Sequence, residues 1–139
     1  MNKNKYLRNA TEALILFAHG SRNAAWRKPF DKLLKDVIKR GEGPAILAFG
    51  EFMSPNLIDA ANALAQKGVK KAVIVPLFLG GGLHVRGDLP KLAARAHAAS
   101  GITLRVGKAI GEDASVLRAI ADYSIASTTK VTSARRKPS

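Results

Sequence analysis

Three side chains in this sequence hold metal ions or move protons near neutral pH and stand where a fold could bring them together: His19, Glu51 and His84. Imidazole and carboxylate suit borderline divalent ions such as iron, cobalt, nickel or zinc. The same groups accept protons at neutral pH. Each follows a short apolar run. His19 ends Leu14-Ile15-Leu16-Phe17-Ala18, Glu51 stands one glycine beyond Ala45 to Phe49, and His84 lies in the loop after Ala72 to Val75. Taken alone, His19 reads more simply as a core histidine satisfied by a neighbouring carbonyl. Its position relative to a sheet separates the two readings.

The remaining chemistry-bearing features narrow the field. Gly80-Gly81-Gly82 has neither the lysine nor the spacing of a phosphate loop, and no G-x-G-x-x-G follows the first apolar run. Flanked by Leu77, Phe78, Leu79 and Leu83, it reads as a pliable lip that admits backbone close to a large, flat ligand. Arg22, Arg27 and Arg86 give that lip a basic rim, which suits a molecule with a greasy face and acidic edges. Ser21 beside His19 lacks a nucleophile elbow, so hydrolysis is set aside and Ser21 is read as a helix cap. His97 sits among Lys91, Arg95 and alanines and is assigned no role. Trp26 and Phe30 are read as core.

The elements that must position these groups follow from periodicity. Leu14–Ala18, Ala45–Phe49 and Ala72–Val75 are continuous apolar runs, the pattern of buried parallel strands. Ile102–Val106 alternates and predicts a more exposed edge strand. Between them lie amphipathic helices. The first, from Ala24 to Lys39, has Trp26, Phe30, Leu33, Leu34, Val37 and Ile38 on one face and Pro29 in its first turn. The second starts with Ser54 as cap and Pro55 at its first position, and buries Leu57, Ile58, Ala61, Leu64 and Ala65. The third follows Asp88 and buries Leu89, Leu92, Ala93 and Ala96. The fourth follows Glu112-Asp113 and has Val116, Leu117, Ile120 and Ala121 on one face. The order βαβαβαβα predicts an α/β fold: a four-stranded parallel sheet with helices on both faces, in the flavodoxin-like order 2-1-3-4. Its switch point lies between strands one and three, which lead into His19 and the His84 loop; Glu51 shares the same sheet edge.

Composition bounds the rest. The 139 residues suit one domain, and the absence of cysteine excludes disulfides and thiolate metal sites. No apolar run reaches the roughly 20 residues of a membrane span. The apolar run near the basic N-terminus is too short for a signal h-region, so a cytoplasmic protein is expected. The net charge of +13 divides into +3 on a basic extension, 1–11, +4 on a patternless basic tail, 125–139, and +6 on the body, 12–124. The tail is expected to be disordered. A nucleic-acid-binding domain driven by the tails is therefore the last-ranked reading, and an acidic small molecule suits the body as well as a phosphate backbone does.

At the level of motifs the body resembles a family. Leu16-Phe17-Ala18-His19-Gly20-Ser21-Arg22, then Phe49-Gly50-Glu51-Phe52-Met53-Ser54-Pro55, then Val75-Pro76-Leu77-Phe78-Leu79 with Gly82-Leu83-His84-Val85 and Asp88-Leu89-Pro90, resemble the small class II tetrapyrrole chelatases, the CbiX/SirB-like sirohydrochlorin chelatases. The resemblance implies insertion of a divalent ion into a sirohydrochlorin-type tetrapyrrole for cobalamin or sirohaem synthesis. Cobalt ranks first, iron second, with nickel used by some relatives. It implies that His19 is a metal ligand and proton acceptor, His84 the second ligand, and Glu51 with Leu79, Gly80, Gly81, Gly82 and Leu83 contacts to the macrocycle. Arg22 and Arg86 would then meet its carboxylates. No nucleotide or cofactor beyond the substrate ion is implied, and the short form is expected to act as a homodimer. Asn23, Ser54 and Gly87 stand where many relatives carry a charge. A non-catalytic tetrapyrrole or metal carrier of the same fold is the alternative.

Overall fold

The computed structural model describes residues 12–80 and 88–136, with side chains described through residue 128. Four strands form one parallel sheet: β1 (Glu12–Ala18), β2 (Ala45–Phe49), β3 (Lys71–Pro76) and β4 (Thr103–Val106), in the order β2-β1-β3-β4. This is the order that the alternating pattern predicts. Register sets Ala18 beside Phe49 and Phe17 beside Pro76, so β1, β2 and β3 end level with one another.

Four helices accompany the sheet: α1 (Lys28–Arg40), α2 (Leu57–Gln66), α3 (Leu89–Ser100) and α4 (Ala114–Arg136). On one face Ile15, Phe17, Ala48 and Ile74 pack under Leu57, Ala60, Ala61 and Leu64 of α2 and Leu89, Ala93 and Ala96 of α3. The small alanines let the two helices lie close together as well as on the sheet. On the other face Leu16, Ala18, Leu47 and Phe49 pack under Trp26, Phe30, Leu34 and Val37.

Local chemistry shifts several expected boundaries. The first helical turn, Ala24–Arg27, is a 3-10 turn. Its cap is Asn23, whose Oδ1 accepts the Ala25 N–H at 3.0 Å; Ser21 Oγ accepts the Asn23 N–H at 3.0 Å and so braces the cap instead of forming it. Leu33 and Ile38, assigned to the inner stripe, are 39% and 54% exposed. Trp26, Phe30, Leu34 and Val37 define a narrower stripe aimed at the sheet, and those two flank it. The second helix begins at Leu57, two residues later than expected of a Ser54 cap with Pro55 at the first position. Asn56 Oδ1 accepts the Asp59 N–H at 2.8 Å, and the Phe49 N–H donates to the Pro55 carbonyl at 2.9 Å, holding Pro55 in the loop. His97, expected to be idle, has Nδ1 2.7 Å from the Ile102 carbonyl oxygen and ties the end of α3 to the start of β4. β4 is the exposed edge predicted for it, and Arg105 there forms a two-pronged pair with Glu12 at 2.8 and 3.0 Å.

The largest departure concerns residues 125–139, expected to be a disordered tail. α4 continues through them as far as Arg136. No Gly or Pro interrupts 114–136. The hydroxyls of Ser124, Ser127 and Thr128 donate to the Ile120, Tyr123 and Ile125 carbonyls at 2.8, 2.9 and 2.9 Å. Polar residues that compete with a helix when free here bond back into it.

Asp113 caps α4. Its Oδ1 accepts the Ser115 hydroxyl and the Ser115 and Val116 N–H groups, the latter two at 2.9 and 3.3 Å. These bonds, the hydroxyl foremost, hold its carboxyl below the ordinary range. A lowered folded value means that the stabilisation is complete above the unfolded pKa, near 4, and disappears as pH falls through the folded one. Protection of the Ser115 and Val116 amides against hydrogen exchange should therefore decline as pH drops below about 4. Asp113→Asn keeps an acceptor without a titrating charge and should give a flat profile; the same decline in that variant would contradict the cap.

Candidate active site

The β1–β2 ladder does not stop where the strands do. The Gly50 N–H donates to the Ala18 carbonyl at 2.9 Å, and the Glu51 N–H to the His19 carbonyl at 3.0 Å. Gly20 makes the next step possible. Its φ is +99°, and a Cβ there would lie 1.8 Å from the Glu51 carbonyl oxygen. Only a residue without a side chain lets the two chains run this close in that conformation. The chain then turns sharply, with Met53 N–H donating to the Glu51 carbonyl at 2.8 Å and Phe52 at φ 65°.

The result is a pair. His19 Nε2 lies 3.1 Å from Glu51 Oε2, with 58% and 51% of the two side chains exposed. Both groups thus remain open to a large ligand while fixing each other. A carboxylate on one ring nitrogen orients an imidazole and fixes which nitrogen faces the cleft.

The third wall comes from the chain after β3. The Leu77 N–H donates to the Phe17 carbonyl at 2.8 Å. Phe78 then sets its ring edgewise to Phe17 and to His19, with centroids 6.1 and 6.4 Å away. Gly111 locks this segment. Its N–H donates to the Phe78 carbonyl at 3.0 Å, and a Cβ on it would fall 1.6 Å from the Leu79 carbonyl oxygen. An open cleft of about 280 Å³ results, lined by apolar Phe17, Phe78, Leu89 and Leu92 and by three titratable groups, His19, Glu51 and Asp88.

Of the residues expected at the site, His19 and Glu51 come together in this cleft. Leu79, 59% exposed, and Gly80 lead away from β3 at the same end of the sheet. Arg22 stacks its guanidinium 4.3 Å from the centre of the exposed Phe52 ring. Arg27, read as part of the basic rim, is committed elsewhere: it pairs with Asp31 at 3.1 Å, donates to the Ser54 carbonyl at 2.8 Å and covers the Phe49 ring. Gly81, Gly82, Leu83, His84 and Arg86 lie outside the described residues. Among the described residues no three His, Asp or Glu side chains cluster closely enough to hold an ion. Two contributors were read differently from the sequence. Asp88 was taken only as a helix cap, yet it lines the cleft and its side chain makes no capping bond to α3. Gly111 carried no signal, because its partner is a carbonyl remote in the chain.

The CbiX family model matches residues 13–126, from β1 into α4. The chain belongs to the CbiX family. It is 35% identical over 81 residues to the sirohydrochlorin cobaltochelatase of Methanopyrus kandleri, and 34% over 82 residues to that of Methanocaldococcus jannaschii. Each match takes in 58% of this chain and 57% of the relative, so the likeness spans little more than half the length of these curated relatives. Among solved structures, a CbiX protein from Marinobacter aquaeolei VT8, named for cobalamin (vitamin B12) biosynthesis, superposes with a TM-score of 0.78 at 34% identity. That match covers 86% of this chain and 98% of the other. The sirohydrochlorin chelatase SirB from Bacillus subtilis subspecies spizizenii, solved in complex with cobalt, superposes with a TM-score of 0.70 at 26% identity. Here 80% of this chain covers 48% of SirB. The CbiX chain thus shares its fold with a solved sirohydrochlorin chelatase.

Gly20→Ala should destabilise the protein by about 1–3 kcal/mol through its positive φ alone, and further through overlap with the Glu51 carbonyl. Chemical denaturation checks the stability. The NMR shift of the His19 ring checks the pair, which should open; an unchanged midpoint and an unchanged ring shift would contradict the close approach.

Proposed function

We propose that this CbiX chain is a sirohydrochlorin metal chelatase, a lyase-type enzyme that inserts a divalent ion into the macrocycle, cobalt first and iron second, for cobalamin or sirohaem synthesis. The observation that carries the proposal is the His19–Glu51 pair, half exposed in an apolar-walled cleft at the carboxyl edge of the sheet. Metallation strips water from an ion and removes two protons from pyrrole nitrogens. An imidazole can do each part in turn, offering its one free nitrogen to the ion and, once the ion has passed to the macrocycle, accepting one of the two protons, the other leaving to Glu51 or water. His19 is assigned both roles. Glu51 orients the ring of His19, balances the charge it gains, and contacts the macrocycle. Phe17, Phe78, Leu89 and Leu92 suit a flat conjugated face, and Arg22, free of ion pairs among the described residues, suits a peripheral carboxylate. His84 is assigned the second metal contact, with Leu79 to Leu83 and Arg86 completing the macrocycle site.

The reading extends to the setting. No described helix is long and apolar enough to cross a membrane, and a cytoplasmic enzyme with no cofactor beyond its substrate ion is proposed. A homodimer is proposed because a flat macrocycle in an open cleft of this size leaves one face in water. Residues 12–124 are assigned the catalytic domain, with the basic 1–11 and 125–139 outside it.

Mixing protein, sirohydrochlorin and Co2+ and following the macrocycle absorbance tests the assignment. Insertion should exceed the uncatalysed rate. His19→Ala should lower kcat/KM by at least about 100-fold, and Glu51→Gln by about 10- to 100-fold, without loss of fold. Tight macrocycle binding with no acceleration would instead mark a carrier. Wild-type rates in both variants would remove the pair from the reaction. Steeply salt-dependent nucleic-acid binding that survives both substitutions would favour the basic extensions as the functional part.

A further inference from the structure

Glu51 is followed by a turn that strains the chain more than a simple connection requires. The Met53 N–H donates to the Glu51 carbonyl at 2.8 Å, two residues back, and Phe52 stands between them at φ 65°. That is a γ-turn of the rarer, strained hand. Such a backbone suits glycine and penalises a residue with a bulky side chain. Among the described residues Phe52 is the only non-glycine with a positive φ. The ring so placed is 54% exposed and joins neither core cluster, so burial does not explain the strain. Backbone strain of this kind collects at functional sites.

What lies on the ring is Arg22, its guanidinium carbon 4.3 Å from the ring centre. The turn that carries Arg22 is braced as well. Ser21 Oγ accepts the Asn23 N–H and Asn23 Oδ1 accepts the Ala25 N–H, each at 3.0 Å. Stacking engages the flat face of a guanidinium and leaves its in-plane N–H donors turned outward. A free surface arginine gives up rotamer freedom when it binds a ligand; one held on a ring has already given up part of it.

The two residues also flank the His19–Glu51 pair. Arg22 comes three residues after His19, and Phe52 directly follows Glu51. Neither lines the apolar cleft. Phe17, Phe78, Leu89 and Leu92 belong to the α2–α3 side of the sheet. Met53, next to Phe52, packs in the cluster under α1, and Asn23, next to Arg22, caps the turn into α1. The carboxyl edge thus offers an apolar wall on one side of the pair and a held cation on the other. We propose that Phe52 is a positioning residue, which holds Arg22 as a preorganised anchor for one rim carboxylate of the macrocycle whose face lies in the cleft. The inference rests on the chelatase reading for its ligand. It adds a specificity element, a preference for tetrapyrroles that carry an acid where Arg22 stands.

Sirohydrochlorin without metal, titrated into the full chain and followed by its fluorescence, gives the dissociation constant directly. Arg22→Gln should raise it at least about 10-fold. Phe52→Leu keeps an apolar side chain without a ring and should raise it about 3- to 5-fold. Phe52→Tyr restores the ring face and should return it to within about twofold of wild type. In the Arg22→Gln background Phe52→Leu should change nothing, since the ring acts through the guanidinium. Phe52→Gly should weaken binding as Phe52→Leu does, while its thermal midpoint stays at or above that of the wild type, because glycine takes a positive φ without strain. An equal loss from Phe52→Leu with and without Arg22, an unchanged constant in Phe52→Leu, or a lowered midpoint in Phe52→Gly would overturn the proposal. A wild-type chain that shows the expected pattern but inserts no metal would fail as a chelatase and keep the subsite. One that does not bind sirohydrochlorin would overturn both.

Discussion

The close approach of two backbones beyond the ends of β1 and β2 is the constraint on which the site rests. Strand pairing normally delivers side chains to the two faces of a sheet, and the loops that follow diverge. Here the ladder is carried past Phe49 by two further hydrogen bonds, and Gly20 has no Cβ to push Glu51 away. The carboxylate therefore meets the imidazole without either being buried. Burial would have demanded compensation for a charged group; exposure leaves the pair accessible to an ion and its hydration shell. A second close approach, Gly111 against Leu79, does the same for the wall carrying Phe78. Two glycines, one next to His19 and one distant in the chain, thus set the width of the cleft.

Much of this was legible in the sequence, and the reasons are physical. Three continuous apolar runs and one alternating run specified three inner strands and an edge. The βαβ alternation left few sheet orders, and the observed one is the simplest. His19 and Glu51 were legible as members of one set with His84, because all three follow strands that end on the same edge of the sheet; their direct contact was not. What escaped depends on contacts that no local pattern encodes. Ser21 and Asn23 compete for one cap, and only the path of the turn decides for Asn23. Ser54-Pro55 has the composition of a helix start, but the bond from Phe49 to the Pro55 carbonyl holds it in the loop. Gly111 reads as an ordinary loop glycine until Leu79 is set beside it.

α4 illustrates a different limit. Its stripe of Val116, Leu117, Ile120 and Ala121 was legible as amphipathic, and an amphipathic helix is expected to roof its own sheet. The helix instead extends to Arg136, and among the described residues none of its side chains joins either core cluster. Amphipathicity marks a face that can be covered, not that the helix's own sheet covers it. The same basic composition that suggested a disordered tail is compatible with helix once serine and threonine hydroxyls are satisfied by the turn before them.

The CbiX family relation and the cleft lead to one claim: the substrate ion meets the macrocycle at His19. Anomalous diffraction at the cobalt edge, from crystals soaked in Co2+, tests it directly. The account predicts a cobalt peak roughly 2.0–2.2 Å from a ring nitrogen of His19, with the Glu51 carboxylate beside it. Cobalt bound at His97 or at the basic ends of the chain, with the His19 cleft empty, would contradict it.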